Sequence, residues 1–495
     1  MMVTSSCRML CGVPIERTVV SVAMVAPGAI TEQREGETIH LAFSGRFGFG
    51  IDRWAYLPFE VPAGVQRIRV ATSHEDFAVG GLARNVLDLG VFGPAGHDLG
   101  NAAGFRGWSG GARDGFVISS TYATPGYLAG PIEPGVWAVA LGPVVVSPWG
   151  MAWQVRVTME RRQPAAERGS VSTFPPPSVC GARWYRGDLH LHTVHSDGER
   201  HPGELVSAAH ASGLDFIVCT DHNTNAANRV WSACRTGALL VVPGEEVTTR
   251  HGHWLAVGLS PHAWVDWRYA PCDGVFPRFA AEVREAGGLV VAAHPALPLP
   301  GSAWEFGFAH VDALEVWNGR WSLDDELSLR IWQRLLRQGR RVVAVGGSDS
   351  HGKHQPVGSP QTAVHARELS IPALVDGLRC GRSYIARSRA VALELTASCP
   401  TSGAADEAGP GQTLRVPPDT PVTVTAVISG APGTNAALIT AAGCAGRVTV
   451  GRSARARLRW ELNAASARFA RLEVREAQRR RLGAMVALTN PVWLA

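Results

Sequence analysis

Residues 188–193 read Asp-Leu-His-Leu-His-Thr, and Ser196-Asp197-Gly198 follows within a few positions. The stretch stands at the end of an apolar, strand-like run. In a β-strand, residues two apart face the same side, so His190 and His192 can point at one ion. With 17 His among 495 residues, roughly 0.6 such pairs are expected by chance. The pair therefore gains meaning only from what the neighbouring strands carry.

Similar residue types follow four other apolar runs and one tight turn of the same region. They stand in Thr220-Asp221-His222-Asn223, Gly244-Glu245-Glu246-Val247, His253, Ala293-His294-Pro295 and Ser348-Asp349-Ser350-His351. In parallel α/β barrels, side chains at the carboxyl ends of different strands converge on one site. Imidazole nitrogens and carboxylate oxygens without Cys suit zinc, manganese or iron in multinuclear sites. We therefore expect these groups to meet around metal ions.

Residues 181–390 alternate strand-like and helical patterns. The candidate strands lie near 185–191, 215–220, 239–247, 253–259, 288–293, 311–317 and 342–348. The candidate helices run from Pro202 to Gly213, from Pro277 to Gly287, and from Ser322 to Gly339, where Ser322 and Asp325 make a capping-box-like start. The third and fourth strands are separated by a short turn and predict a hairpin. This alternation predicts an α/β fold, and seven strands favour a (βα)7 barrel.

The flanking regions have a different texture. Residues 38–160 contain short alternating runs punctuated by Gly and Pro, which is typical of an antiparallel β-sandwich. Residues 161–180 are a Pro-rich linker, and residues 391–495 predict a small C-terminal β-domain. Residues 1–37 form an N-terminal segment that we expect to be disordered. The length fits two to four domains at about 100–200 residues each.

Composition excludes several classes of protein. Hydrophobic residues make up 46% of the chain and charged residues 18%, which excludes a disordered or coiled-coil chain. The net charge of +5 without a dense basic patch argues against a nucleic-acid partner. The nine Cys contain no Cys-x-x-Cys pair, which argues against disulfide frameworks and thiolate zinc sites. The cysteine pattern fits a reducing cytoplasm best, so a cytoplasmic location is expected. No apolar run is long enough for a membrane span.

The motifs DLHLHT, SDG, TDHN, PGEEVT, AHP and GSDSH occur in this order and resemble the PHP superfamily, named for polymerase and histidinol phosphatase. Stretches 106–111, 123–127 and 487–491 resemble the carbaryl-hydrolase-like branch, the CehA/McbA group. The resemblance implies a distorted (βα)7 barrel that holds two or three divalent ions, zinc, manganese or iron. It also implies that the chain is a metal-dependent hydrolase.

The resemblance further implies a ligand set for each ion. The first ion would be held by His190, His192, Glu246 and Asp349, the second by Glu246, His253 and His294, and the third by Asp197, His222 and His351. Glu246 would bridge the first two ions, and Glu245 remains open as the alternative bridge. Asp197 stands where many relatives have His, and a carboxylate can replace an imidazole as a metal ligand.

These metals imply a chemistry. Two close cations lower the pKa of a bridging water, so we hypothesise attack by metal-bound hydroxide on a small phosphate ester at a di- or trinuclear site. The candidate proton donors are His195 and His354. The candidate substrate-binding residues are Asn223, Asn318, Arg320 and Lys353, with Arg106 and Arg113 as further candidates at the barrel mouth. Asp221 is expected to orient the site from outside the ligand set.

Other functions stay open at this point. The same site could hydrolyse a carboxyl ester or a carbamate, and activity on p-nitrophenyl phosphate against 1-naphthyl acetate would separate the two. A 5′-end nuclease or oligonucleotide phosphodiesterase would need a basic, aromatic-lined groove. A carbohydrate- or polymer-binding protein with an inactive barrel would have no reason to keep nine ligand groups. The oligomeric state is left undetermined.

Overall fold

The computed structural model describes residues 28–50, 53–76, 85–161, 179–234, 236–399, 407–453, 455–478 and 483–495. Most of the N-terminal segment expected to be disordered, residues 1–27, lies outside the described residues. The same holds for residues 162–178 of the Pro-rich linker.

The described part of the N-terminal region contains nine strands. They are β1 (Gly28–Glu35), β2 (Thr38–Phe47), β3 (Ala55–Val61), β4 (Arg67–His74), β5 (Val86–Phe92), β6 (Phe105–Gly110), β7 (Gly115–Ser119), β8 (Gly135–Val145) and β9 (Met151–Glu160). They make two sheets, with orders β1-β2-β9-β4-β7 and β3-β8-β5-β6. Every second residue of β9 is buried, because one face of the strand packs on the other sheet. The core between the sheets includes Phe47, Trp137 and Trp153.

The middle region contains the strands and helices that the sequence patterns predict, with boundaries shifted by a few residues. Its elements are β10 (Val179–Asp188), α1 (Pro202–Ala211), β11 (Phe216–Cys219), β12 (Leu240–Thr249), β13 (Gly252–Val257), α2 (Phe276–Glu285), β14 (Leu289–Ala292), β15 (Ala313–Asn318), α3 (Leu323–Arg337), β16 (Val343–Gly347), β17 (Gln361–Leu369), α4 (Ile371–Arg379) and β18 (Ser383–Ala386). Three short 3-10 helices lie at Ala227–Arg229, Trp231–Ala233 and Pro271–Asp273. The last two strands and α4 were not anticipated.

These strands form one curved sheet with the order β16-β15-β14-β13-β12-β11-β10-β17-β18. Strands β10 to β12 are parallel, β14 to β16 are parallel, and the antiparallel hairpin β12–β13 joins the two sets. Among the described residues, no hydrogen-bonded ladder joins β16 to β10. A closed (βα)7 barrel is therefore not confirmed, and the hairpin and the helix-free β14–β15 connection interrupt the strand–helix alternation.

The two ends of the curved sheet nevertheless meet just beyond β10 and β16. An isolated bridge pairs Leu191 with Ser350, and the buried Asp188 carboxylate accepts the backbone N–H of Ser348 at 2.8 Å. A Cβ on Gly347 would lie 2.5 Å from the Cβ of His190, so only glycine permits this approach. The contact brings the two motif-bearing strand ends together.

The C-terminal region, as far as the structure describes it, adds ten strands and a short helix. They are β19 (Ala392–Ser398), β20 (Glu407–Ala408), β21 (Thr413–Leu414), β22 (Pro421–Ser429), β23 (Asn435–Thr440), β24 (Gly443–Thr449), β25 (Arg455–Asn463), α5 (Ala464–Ala467), β26 (Phe469–Arg475), β27 (Met485–Thr489) and β28 (Val492–Leu494). Strand β27 pairs with β18, so β27, β26, β23 and β24 continue the central sheet. The sheet β20-β19-β22-β25 is separate. No helix among the described residues combines the length and apolar content that crossing a bilayer requires.

Candidate metal centre

All nine predicted ligand side chains meet at one rim of the curved sheet. They form three groups, and within each group the donor atoms lie within 4.8 Å of one another. The groups are His190, His192, Glu246 and Asp349; Glu246, His253 and His294; and His192, Asp197, His222 and His351. The third group contains His192 in addition to the three residues that the resemblance implied.

The carboxylate of Glu246 faces two groups with its two oxygens. Oε1 lies 3.0 Å from His253 Nδ1 and 3.1 Å from His294 Nε2. Oε2 lies 3.1 Å from His190 Nε2. Glu245, on the opposite face of β12, turns away and accepts the backbone N–H of Val265 at 3.0 Å. Glu246 is therefore the carboxylate placed to bridge two ions.

The buried nitrogen and oxygen atoms of the first group are better satisfied by a bound cation than by one another. His190 Nε2, Glu246 Oε2 and Asp349 Oδ1 have no hydrogen-bond partner. His190 Nε2 nevertheless lies 3.1 Å from the Glu246 oxygen and 3.3 Å from the Asp349 oxygen. Buried polar atoms that approach closely without bonding are costly. A divalent ion at their centre would satisfy all of them.

The electrostatics of the cluster favour positive charge. Burial disfavours ionisation of Glu246, but His222 and His190 hold its pKa well below the ordinary value. Burial likewise opposes ionisation of Asp349, and His190 and His192 again keep the pKa well below its usual range. For His222, burial opposes protonation, yet Glu246 and Asp197 raise its pKa to about 10. Protons on imidazoles thus balance the carboxylates, and a bound cation would displace them.

Backbone strain is concentrated at the same rim. Four described residues other than glycine have a positive φ, and three of them are Asn223 at 55°, His294 at 24° and Asp349 at 48°. The three residues lie two to four positions beyond the ends of strands β11, β14 and β16. Such conformations are uncommon outside glycine and tend to persist at functional sites. Two of the three, His294 and Asp349, belong to the ligand groups, and Asn223 lines the adjoining cavity.

Glu315 on β15 is a supporting residue that the sequence analysis missed. His190 Nδ1 lies 3.1 Å from Glu315 Oε1, and the backbone N–H of His294 donates to Oε2 at 2.9 Å. A carboxylate at Nδ1 leaves Nε2 of His190 free to bind metal. The available signal was a lone carboxylate in the apolar run Ala-Leu-Glu-Val-Trp.

Asp221 holds the loop that carries two of the candidate ligands. Its Oδ1 accepts the backbone N–H of Thr193 at 2.8 Å and the hydroxyl of Ser196 at 2.7 Å. Its Oδ2 accepts the Thr193 hydroxyl at 2.8 Å. These bonds fix the segment between His192 and Asp197, so Asp221 acts through the loop.

The predicted substrate-binding residues divide into two pairs. Asn223 lines the cavity beside the cluster, while its Oδ1 accepts the backbone N–H of Thr248 at 2.7 Å. Asn318 Nδ2 donates to Asp349 Oδ2 at 3.3 Å. Lys353, in contrast, pairs with Glu204 at 3.0 Å on the surface, and Arg320 is exposed. The structure brings only the two asparagines to the cluster.

The two predicted proton donors lie outside the cavity lining. His195 is 9% exposed, and its Nδ1 lies 3.2 Å from the Thr193 hydroxyl. Burial lowers the pKa of His195. His354 is exposed on the loop after Lys353. Their role as proton donors stays a prediction.

A cavity of about 480 Å³ adjoins the cluster at the boundary with the β-sandwich. On one side it is lined by Asp197, His222 and His253. On the other side the sandwich contributes Trp54, Asp88, Val86, Trp108, Ser109, Gly110, Gly111 and Val144. Residues 108–111, from the stretch 106–111 named in the sequence analysis, therefore line the cavity. Arg113 donates to the carbonyl oxygen of Val194, whereas Arg106 bonds within the sandwich.

Comparison with known proteins gives only distant similarities. No family model matches the chain. An uncharacterized protein of Methanocaldococcus jannaschii is 25% identical over 154 residues, which cover 27% of this chain and 81% of that protein.

Three solved structures are similar at low TM-scores. A two-domain protein from Bacteroides vulgatus, described as containing a predicted PHP-like metal-dependent phosphoesterase, is 16% identical with a TM-score of 0.36, covering 65% of this chain and 99% of that one. A protein from Bifidobacterium adolescentis, assigned by inference as a metal-dependent phosphoesterase, is 22% identical with a TM-score of 0.27, covering 37% and 92%. An amidohydrolase from Chromobacterium violaceum, with sulfate and no metal, is 20% identical with a TM-score of 0.25, covering 35% and 89%. Because these TM-scores lie below 0.5, the function has to be inferred from the site itself.

Proposed function

We propose that this protein is a metal-dependent hydrolase of the PHP superfamily, in its CehA/McbA-like branch, and that it cleaves a small phosphate ester. The observation that carries the proposal is the position of Glu246 between two groups of ligands, with one oxygen towards each. A carboxylate in this position can bridge two ions. A site that holds a single structural ion needs no such bridge. The ions would be two or three in number, with zinc, manganese or iron as the candidates.

Each group of ligands has a part in this proposal. Divalent ions, when bound, would lower the pKa of a coordinated water and neutralise charge that develops on the phosphoryl oxygens. His190, His192, Glu246 and Asp349 would hold the most buried ion. Asp197, with a side chain 45% exposed, faces the open side together with His222 and His351. The ester would therefore enter from the cavity that the sandwich covers.

The protein's own residues would keep this geometry fixed. Glu315 holds His190 in one tautomer, and Asp221 fixes the loop that carries Asp197. The apolar wall formed by Trp54 and Trp108 would exclude water from one side of the bound ester. Preorganised groups of this kind need no rearrangement when charge develops during the reaction.

Metal loading and a substrate screen test the proposal. Elemental analysis of the saturated protein should give at least two transition ions per chain, and fewer than one would contradict the site. The manganese- and zinc-loaded forms are then assayed on p-nitrophenyl phosphate, bis(p-nitrophenyl) phosphate and 1-naphthyl acetate. Phosphate esters should be the better substrates. Faster turnover of the acetate would replace the phosphoesterase by the carboxyl-ester or carbamate hydrolase alternative.

A further inference from the structure

A carboxyl group of the β-sandwich, that of Asp88, lines the cavity of about 480 Å³ beside the ligand cluster. Three ligand side chains line the same cavity from the side of the central sheet. Among the described sandwich residues of this lining, Asp88 alone has a titratable side chain. The predicted proton donors His195 and His354 lie outside the lining. Asp88 is thus a carboxyl group that faces the site and has no part in the chemistry proposed so far.

Strand β5 places this carboxyl group by the alternation of its side chains. Leu87 lies in the core of the sandwich, whereas Val86 and Asp88 line the cavity. The end of β6 leaves room beside the carboxyl, because a Cβ on Gly110 or Gly111 would lie 3.5 or 3.7 Å from Asp88 Oδ1. Gly110 also has a φ of 53°, which favours glycine. Glycine at these two positions therefore leaves the carboxyl open to the cavity.

The surroundings of Asp88 favour its protonated form. Trp54 and Trp108 line the same wall of the cavity. Within the part of the chain that the structure describes, no hydrogen bond or ion pair joins the Asp88 carboxyl to another side chain. Burial raises the pKa of Asp88 to about 7, although Arg250, His222 and a backbone N–H act to lower it. A carboxyl group with such a pKa carries a proton in part of the molecules near neutral pH, which suits a proton donor.

We propose that Asp88 donates a proton to the leaving oxygen of the ester, so that the β-sandwich supplies a catalytic residue to the site. The inference rests on the proposed function and gives Asp88 the role predicted for His195 and His354. When water attacks phosphorus, the bond to the leaving oxygen breaks and its electron pair stays on that oxygen. The proton of Asp88 then completes the alcohol. The attacking water releases one proton to solvent and the Asp88 carboxylate regains one, so each cycle consumes one water and forms the alcohol and phosphate.

Leaving groups of different basicity test this role. Phenyl phosphate and p-nitrophenyl phosphate are similar in shape, but p-nitrophenolate is a stable anion that leaves without a proton, whereas phenolate is more basic. Asp88→Asn should lower kcat/KM at least about 100-fold for phenyl phosphate, the usual contribution of a general acid, and at most about threefold for p-nitrophenyl phosphate. Asp114→Asn is the matched control, because Asp114 is exposed between β6 and β7 and outside the cavity lining. It should keep both rates. The two esters are compared within one preparation, so the fraction of folded enzyme cancels.

A second variant and the metal content complete the test. Asp88→Ala also lacks the acid and should show the same selective loss, so it replaces Asp88→Asn if that variant does not fold. Elemental analysis should give the wild-type metal content for both variants. Equal losses on the two esters, no loss on either, or a lower metal content would overturn the role of Asp88 as proton donor. If the wild type itself cleaves neither ester, the proposed function fails, and the role of Asp88 fails with it.

Discussion

At the residue scale, the adjacent glutamates Glu245 and Glu246 differ only in which face of β12 they occupy. Alternation along a strand sends Glu246 into the ligand cluster and Glu245 into an apolar core. Burial raises the pKa of Glu245 well above its usual value, and the carboxyl accepts one backbone N–H, from Val265. The same residue type thus has pKa shifts in opposite directions on the two faces of the strand.

This contrast provides a matched pair of variants. Glu246→Gln removes the charge that two groups of ligands share, so metal-loaded turnover should fall at least about 100-fold. Glu245→Gln changes a side chain of the same shape outside the ligand cluster and should keep activity within about twofold. Steady-state rates and the metal content of both proteins are the measurements. Near-wild-type turnover by metal-loaded Glu246→Gln would contradict the bridging role.

Glu315 allows a second residue-scale prediction. Its contact with His190 Nδ1 orients the ring, and loss of such a partner typically costs 10–100-fold in metal affinity. We expect Glu315→Gln to weaken binding of the tightest ion by about that factor, with the fold retained in circular dichroism. Glu305→Gln is the control, because Glu305 pairs with His251 at 2.9 Å, and His251 is outside the ligand set. Equal metal affinities in a competitive chelator titration would mean that Glu315 is only structural.

At the element scale, a buried ion-pair network fixes the C-terminal strands to α3. Glu473 on β26 lies 2.8 Å from Arg471 and 3.0 Å from Arg475. Arg475 also pairs with Glu326 of α3, and Arg471 is only 2% exposed. Removal of one partner from such a network leaves a buried charge uncompensated. The docking of β26 therefore depends on the charge of Glu473.

The network predicts a pH dependence of stability. Burial raises the pKa of Glu473, but Arg471 and Arg475 outweigh it, so the net shift is downward. A lowered folded-state pKa stabilises the protein above the unfolded value of 4.5, and this contribution is lost as pH falls through the folded value. Glu473→Gln should lower the free energy of unfolding by about 3 kcal/mol at pH 7. The difference from wild type should shrink below about pH 4.5.

Chemical denaturation at several pH values checks this dependence, with Glu461→Gln as control. Glu461 pairs with Arg459 at 2.8 Å, but both side chains are more than half exposed. Exposed pairs contribute about 0–1 kcal/mol, so this variant should differ little from wild type at any pH. If the free energy of unfolding lost in Glu473→Gln does not change with pH, the variant acts through packing and not through charge.

The elements also show what the sequence could and could not predict. Strand and helix patterns located seven strands and three helices, because hydrophobic period and caps such as Ser322 are local signals. The pairing of β18 with β27, about 100 residues apart, and the open edge between β16 and β10 have no local signal. The sequence also does not indicate where a loop side chain points. Lys353 is therefore predicted to bind substrate, although it pairs with Glu204 on the surface. Glu315 was missed because one carboxylate in an apolar run is not a motif.

At the scale of the whole molecule, the sandwich makes an apolar contact beside the site with the segment between β13 and α2. Phe105 of the sandwich stacks on Trp264 with centroids 4.3 Å apart, and Trp108 lies 4.5 Å from Trp267. These rings belong to a single buried cluster that runs across both regions. The cavity wall is thereby rigidly attached to the ligand-bearing strands, so a change in the sandwich is expected to alter catalysis.

Two exposed valines of β8 test this coupling. Val144 is 51% exposed and lines the cavity beside the ligand cluster, whereas Val136 is 56% exposed on the same strand and lies outside that cavity. Val144→Trp would fill part of the roughly 480 Å³ cavity. We expect its kcat/KM for 2-naphthyl phosphate to fall about tenfold, because displacement of the bulky leaving group costs on the order of 1.4 kcal/mol of binding free energy.

Inorganic phosphate, the small product, provides a control. It should inhibit the wild type and Val144→Trp equally, because it needs only the metal side of the cavity. Val136→Trp adds the same indole to the same strand and should leave both measurements unchanged. Equal losses in the two variants would show that the sandwich affects catalysis through stability, and that its wall does not contact the substrate.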